Sequence, residues 1–114
     1  MKKITISDPT LRDGSHAIKH QLTAEQVSRY CAAIDKAGVP IVEVGHGNGI
    51  GASSIQVGLS GESDIKLLEA ARSTLKHAKL GVHCIPGFAT IKKHIKPALD
   101  LGVDIVRCAC HCTE

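Results

Sequence analysis

The apolar positions of this chain fall into short runs separated by polar, glycine-bearing loops. Residues 3–7 (KITIS) form a β-branched run that predicts a first strand. Thr23-x-x-Gln26 has the form of a capping box, and the helix it opens places Val27, Cys31 and Ile34 on one face. Gly38 is placed to end that helix. Ile41–Val44 (IVEV) predicts a second strand, apolar enough to lie buried in a parallel sheet. A glycine-rich loop over residues 45–61 follows. Ser63 and Asp64 start a second helix, with Ile65, Leu68, Ala71, Leu75 and Ala78 expected on its inner face. Residues 80–85 predict a third strand, broken by Pro86 and Gly87. Residues 90–101 are a third helical region, and Pro97 inside it predicts a kink or two short helices. Residues 103–108 predict a fourth strand. GVPIV at 38–42 and GVDIV at 102–106 echo one another, each marking a helix end followed by a buried strand.

The pattern reads β1-α1-β2-α2-β3-α3-β4, an α/β arrangement of parallel strands joined by right-handed crossovers. Composition agrees. The 114 residues are 43% hydrophobic and 22% charged with a net charge of +3, which suits one soluble domain with a core. Tyr30 and Phe88 are the only aromatic residues, so the core must be aliphatic and no base-stacking platform for nucleic acid exists. The charge forms no basic stripe. No apolar run approaches the roughly 20 residues that span a bilayer, and no signal peptide precedes the first strand, so the expected compartment is the cytoplasm.

Five cysteines (Cys31, Cys84, Cys108, Cys110 and Cys112) are an odd number, which argues against a disulfide framework. Cys31 falls on the apolar face of the first helix and reads as a core residue. Cys108, Cys110, His111 and Cys112 suggest zinc at first sight, but alternate residues of a strand point to opposite faces and cannot all meet one ion. Buried thiols at a strand end are the expectation.

The densest chemistry lies between Ser7 and Gln21 (SDPTLRDGSHAIKHQ). In parallel α/β folds, chemistry collects at the carboxyl ends of strands. Arg12 can hold a carboxylate with two parallel hydrogen bonds. Asp13 can ligate a hard divalent metal, and His16 can move a proton near neutral pH. Each also has a plain structural reading: Asp13 caps the following turn, Arg12 pairs with Glu43, and His16 is an exposed loop residue. His20, His46 and His111 are placed to orient polar groups or line a pocket, while His77 and His94 are expected in solvated helix positions. Gly45-x-Gly47-x-Gly49 fits neither the P-loop nor the dinucleotide spacing, so nucleotide binding is not expected.

TLRDG after a first strand resembles the signature of the metal-dependent TIM-barrel lyases and synthases, the superfamily of isopropylmalate synthases, hydroxymethylglutaryl-CoA lyases and pyruvate aldolases. The continuation GSHAIKHQ, the segment VEVGHGNG at 42–49 and the closing CHCTE are similar to the 4-hydroxy-2-oxovalerate aldolase family. The resemblance runs the length of the chain. It implies the N-terminal half of a (β/α)8 TIM barrel over residues 1–114, since a whole barrel takes about 250 residues and eight strands. The chain stops where a fourth helix would begin. The expectation is therefore a partial barrel: a fragment of a longer enzyme, a truncated product, or half of an assembly that closes on a barrel-completing chain. An open four-stranded α/β sheet is the alternative.

The resemblance also implies a reaction, the reversible retro-aldol cleavage of a 4-hydroxy-2-oxoacid to pyruvate and an aldehyde. Asp13 matches the family's metal-ligating aspartate, with Mn2+ or another divalent metal as cofactor. Arg12 matches the arginine that contacts the oxo acid and its enolate, and His16 the histidine that takes the proton from the 4-hydroxyl group. Glu43, His46, Asn48, His20 and His111 are expected around them. The family's other metal ligands form an H-x-H motif that these residues lack, so the site is expected to be incomplete. Pro9 occupies the motif's variable place, and Asn48 stands where the family has an aspartate. Ile55 and Val57 stand where bulkier residues often occur, which points to a different substrate. An acylating aldehyde dehydrogenase subunit is the partner the resemblance implies. A Claisen-type acyl transferase of the same superfamily and a non-catalytic module that binds another subunit are the competing functions.

Overall fold

The structure, a computed structural model, describes residues 2–110. Four strands, β1 (Ser7–Leu11), β2 (Ile41–Val44), β3 (Lys79–Cys84) and β4 (Ile105–Cys108), form one sheet in the order β1-β2-β3-β4. All three pairings are parallel. Between the strands lie a 3-10 turn (Asp13–Ile18) and the helices α1 (Ala24–Lys36), α2 (Asp64–Thr74) and α3 (Lys96–Leu101). This is the expected arrangement of an N-terminal half of a (β/α)8 barrel.

The alternation of β2 and β3 decides which side of the sheet the helices cover. Val42, Val44, Leu80 and Val82 are no more than 1% exposed, and they pack with Val27 and Cys31 of α1 and Leu67, Leu68 and Ala71 of α2. Glu43, Gly81 and His83, the residues between them, belong to the opposite face. A cavity of about 180 Å³ opens on that face, lined by Ser7, Ile41, Glu43, Ile105 and Arg107 among others.

The helix ends follow the local chemistry. Thr23 Oγ1 accepts from Gln26 N–H while the Gln26 side chain accepts from Thr23 N–H, the two halves of the expected capping box. Gly38 takes φ +85° just past α1, a conformation that costs a residue with Cβ strain. Asp35, near the end of α1, accepts hydrogen bonds from the backbone N–H groups of Lys76, His77 and Ala78 at 2.7–3.0 Å. Its carboxylate thereby fixes the entry to β3.

Several expectations are corrected. The first strand lies at Ser7–Leu11 rather than residues 3–7, because β2 begins at Ile41 and pairs with Ser7; Ile4 and Ile6, upstream of that pairing, are 87% and 61% exposed. Pro9 falls in the irregularity of the β1–β2 register between Asp8 and Leu11, where proline is tolerated. The third strand begins at Lys79 and ends at Cys84, and the fourth begins at Ile105. Ile65 is turned to solvent, and Leu67 takes the inward position instead. The third helical region divides into a π-helical turn (Ile91–Ile95) and α3, where Pro97 occupies the first turn and its missing N–H costs nothing. His77 lies in the loop after α2 and His94 in the π-helical turn. Of the thiols expected to be buried, Cys108 is exposed at the end of β4 and Cys110 is exposed just beyond it, while Cys112 lies outside the described residues. Cys31 is a core residue, as its helix face predicted.

Candidate active site

The carboxyl ends of the four strands gather the charged residues. Arg12 follows β1 directly and is largely buried at 11% side-chain exposure. Its Nε donates to Glu43 Oε1 at 3.0 Å, its Nη1 donates to the Gly47 carbonyl at 3.0 Å, and Nη1 lies 3.4 Å from Asp13 Oδ1. Glu43 projects from β2. Its carboxylate also accepts from Arg107 of β4, with Nε to Oε2 at 2.7 Å and Nη2 to Oε1 at 3.2 Å. Two guanidinium groups thus clamp one buried carboxylate. Burial alone would raise the Glu43 pKa, but the two arginines outweigh it and hold the group below its ordinary value. The three residues carry one net positive charge, with the exposed carboxylate of Asp13 beside them.

Asp13 is the first residue of the 3-10 turn, whose N-cap is Arg12, and its carboxylate is exposed beside the Arg12 guanidinium. The turn ends on Lys19 and His20, both in the left-handed region at φ +53° and +61°. Such backbone costs a residue with Cβ on the order of 1 kcal/mol and persists where the surroundings enforce it. Here the enforcement is the packing of His20, which is 7% exposed. Its ring stacks on His46 with centroids 3.7 Å apart and planes at 11°, and His16 meets it edge-on at 4.9 Å. His20 Nδ1 lies 3.2 Å from Ser15 Oγ and accepts the Gly47 N–H at 3.3 Å. Burial, then the nearby His46 and His16, push the His20 pKa down, which keeps the ring neutral.

His46 is 1% exposed and anchors the loop. Its Nδ1 accepts from the Asn48 N–H at 3.0 Å, which assigns the ring proton to Nε2, the donor to the Gly58 carbonyl at 2.8 Å. Asn48 thus contributes through its backbone.

The glycines of this loop explain themselves against the same rings. A Cβ on Gly47 would stand 2.4 Å from His16 Nε2, and one on Gly58 2.6 Å from His20 Cδ2. A Cβ on Gly49 would stand 2.6 Å from the His83 carbonyl oxygen. At Gly49 and Gly58 the obstacle is backbone or a buried ring, so glycine is required there, whereas at Gly47 it is the exposed His16 ring, which can turn aside.

Sequence reasoning missed His83 and Arg107. His83 is 7% exposed, its Nδ1 is buried without a hydrogen-bond partner, and burial with the nearby Arg12 and Arg107 pushes its pKa down. The period of two holds a signal for both. His83 and Arg107 are direct ladder partners, one level above Glu43, Gly81 and Ile105 on the same face. His16 and Asp13 are exposed at the mouth of this site. His111, expected nearby, lies outside the described residues.

Among the described residues no three His, Cys, Asp or Glu side chains cluster as metal ligands. Asp13 alone is one carboxylate, and one carboxylate does not fit a held divalent cation.

A parallel β/α sheet in the order β1-β2-β3-β4, with arginine, carboxylate and histidine towards the carboxyl ends of its strands, is consistent with the N-terminal half of a (β/α)8 barrel. The chain matches the HMGL-like family over residues 3–114 and belongs to it. It is 61% identical over 111 residues to a protein of Spirochaeta aurantia named 4-hydroxy-2-oxovalerate aldolase, covering 97% of this chain and 33% of that relative. It is 55% identical to 4-hydroxy-2-oxovalerate aldolase 2 of Salinispora arenicola, covering 98% of this chain and 32% of the relative. A Pectobacterium atrosepticum protein, also named 4-hydroxy-2-oxovalerate aldolase, is 55% identical over 99% of this chain and 33% of its own length. The chain spans about a third of the length of the curated relatives it matches. No helix among the described residues is long and apolar enough to cross a membrane.

Proposed function

We propose that this chain supplies the arginine–histidine half of a divalent-metal-dependent pyruvate aldolase site, which cleaves a 4-hydroxy-2-oxoacid reversibly to pyruvate and an aldehyde. The observation that carries the reading is the fixed guanidinium of Arg12. Retro-aldol cleavage needs an electron sink at the oxo acid and a base at the hydroxyl. Arg12, held by Glu43 and the Gly47 carbonyl, keeps its fork at the strand end without reorganising when negative charge develops on the substrate oxygen. His16, exposed beside it and backed by His20, accepts the proton of the 4-hydroxyl group. The neutral His20 ring spares His16 a second adjacent positive charge when it takes that proton.

The cofactor of the reading is Mn2+, with Asp13 as the one ligand from the described residues. The substrate is a small 2-oxo acid. An acylating aldehyde dehydrogenase subunit that consumes the aldehyde, and a cytoplasmic location, follow from the same reading.

The test joins this chain to the remaining two thirds of the Spirochaeta aurantia relative. The chimera should exchange the methyl protons of pyruvate in deuterated water with Mn2+ present. Arg12→Ala and Asp13→Ala should abolish the exchange, while His16→Ala should stop cleavage of the 4-hydroxy-2-oxoacid. A folded chimera with no exchange would sink the proposal and favour a non-catalytic module.

A further inference from the structure

The stacked rings of His20 and His46 are buried by the described residues themselves, so their arrangement does not depend on what completes a barrel. Each ring spans the two arms of the loop over residues 45–61. His46 Nδ1 accepts the Asn48 N–H of the outgoing arm at 3.0 Å, and its Nε2 donates to the Gly58 carbonyl of the returning arm at 2.8 Å. His20 repeats the pattern one residue earlier. Its Nδ1 accepts the Gly47 N–H at 3.3 Å, and the Val57 backbone is the partner on the returning arm. The two N–H groups held in this way bracket Gly47. The proposed reaction assigns His46 no task.

The peptide between Gly47 and Asn48 connects this pair to the site. It is trans, and a trans peptide is planar with its N–H and C=O pointing in opposite directions. Its N–H goes to His46 Nδ1. Its carbonyl, on the far side, accepts from Arg12 Nη1 at 3.0 Å. We propose that His46 is a positioning residue for Arg12: its Nδ1 fixes the plane of this peptide, and the peptide carbonyl fixes the guanidinium that meets the oxo acid.

Arg12 needs that second anchor. Glu43 holds it through Nε at 3.0 Å, and one bond leaves the guanidinium free to pivot about it. The contact of Nη1 with Asp13 at 3.4 Å is longer, and that carboxylate is exposed. The Gly47 carbonyl, a neutral acceptor on a different nitrogen, fixes the plane of the fork without neutralising its charge. His20 supports the arrangement in two ways. It holds the preceding peptide through the Gly47 N–H, and it keeps the His46 ring in place by stacking at 3.7 Å. The role requires Nδ1 to stay an acceptor, because a proton there would set N–H against N–H. Burial, then His46 and His16, push the His20 pKa down, so the stacked neighbour adds no charge.

The catalytic consequence rests on the aldolase reading, whereas the hydrogen bonds do not, and each has its own measurement. His46→Asn keeps an acceptor near the place of Nδ1 and gives up the donor to Gly58. His46→Gln keeps a donor near the place of Nε2 and gives up the acceptor for Asn48. In the folded chain, proton NMR of the Arg12 side-chain N–H groups, assigned by their loss in Arg12→Lys, reads their exchange with solvent. They should stay protected in His46→Asn and exchange several-fold faster in His46→Gln, with circular dichroism unchanged in both. Equal exchange in the two variants, fast or slow, would overturn the proposal. So would nitrogen NMR of the unsubstituted chain that found a proton on His46 Nδ1, a measurement that needs no variant to fold. In the aldolase chimera, His46→Gln should lower pyruvate proton exchange by roughly 10–100-fold and His46→Asn by less than about 10-fold. Undiminished exchange in His46→Gln would overturn the positioning role. An unsubstituted chimera without exchange would sink the aldolase reading alone, and the Arg12 N–H groups would still decide whether His46 positions them.

Discussion

The two faces of the sheet differ in what they ask of the residues that share a strand. On the helix side, Val42, Val44, Leu80 and Val82 are apolar, and their burial against α1 and α2 stabilises the domain. On the other side, Glu43, Arg107 and the neighbouring Arg12 are polar and are held by one another, with the buried His83 on the same face. Val42 and Glu43 are adjacent in the chain yet belong to different problems. Stability and chemistry are separated by the period of two, so the strands hold the charged face in place without that face having to hold the strands.

The largest expected effect tests this division. Leu68 is fully buried between helix and sheet, and Leu68→Ala should cost about 2–5 kcal/mol in urea unfolding. Arg107, 48% exposed on its side chain, sits on the charged face, and Arg107→Ala, which leaves Glu43 its bond from Arg12, should cost less than Leu68→Ala. Equal losses in the two variants would break the division of labour. A smaller loss follows from Gly58→Ala. That residue has φ +106° and its new Cβ would press on the buried His20 ring, so about 1–3 kcal/mol is expected. A loss of that size would show that the histidine stack, though polar, is packed like a core.

Acid titration gives the next contrast. Three backbone N–H groups, that of Ala78 foremost, hold the Asp35 carboxyl below its ordinary value of 3.8. Glu43 is also held below its ordinary value of 4.5. In the acid range the unfolded chain therefore binds more protons than the folded one, and stability falls as pH drops. Thermal melts should show this carboxylate loss between about pH 5 and pH 2, below an earlier loss that sets in near pH 6.5, where the unfolded chain protonates His20 and His83 and the folded one does not. Asp35→Asn should lower stability at neutral pH and flatten that acid limb. An unchanged limb would mean that other carboxylates govern it.

The elements themselves were legible in the sequence wherever a local rule applied. The capping box at Thr23, the glycine past α1, the IVEV strand and the break at Pro97 each follow from neighbours within a few residues. What escaped was set by distant partners. The start of β1 depends on where β2 begins, which no property of residues 3–7 discloses. Ile65 and Leu67 are both apolar, and only the direction from which the sheet approaches α2 chooses between them. At the site, Arg12, Asp13 and His16 stood out because they are contiguous. Glu43 entered as a possible partner of Arg12 and as one of the residues expected around the site, and Arg107 was missed because 64 residues separate it from Glu43. His83 lay unnoticed inside an apolar strand, although its level matches Arg107 across the ladder.

The smallest expected effect on stability is the sharpest test of the site. Gly47→Ala would place a Cβ 2.4 Å from His16 Nε2, against an exposed ring that is free to turn away. Gly47 does not lie in the left-handed region, so the substitution carries no backbone strain. The change in unfolding free energy should stay within about 0.5 kcal/mol. The His16 ring must move, however, and its edge-on contact with His20 at 4.9 Å should be lost. Proton NMR of the histidine rings would then show a displaced His16 resonance with His46 unchanged, since His46 is fixed by Asn48 and Gly58. In the aldolase chimera the same variant should lose cleavage while keeping pyruvate proton exchange, because Arg12 reaches the Gly47 carbonyl rather than its Cα. If exchange and cleavage fell together, His16 and Arg12 would be acting as one unit, and the separate roles assigned to them would have to be merged.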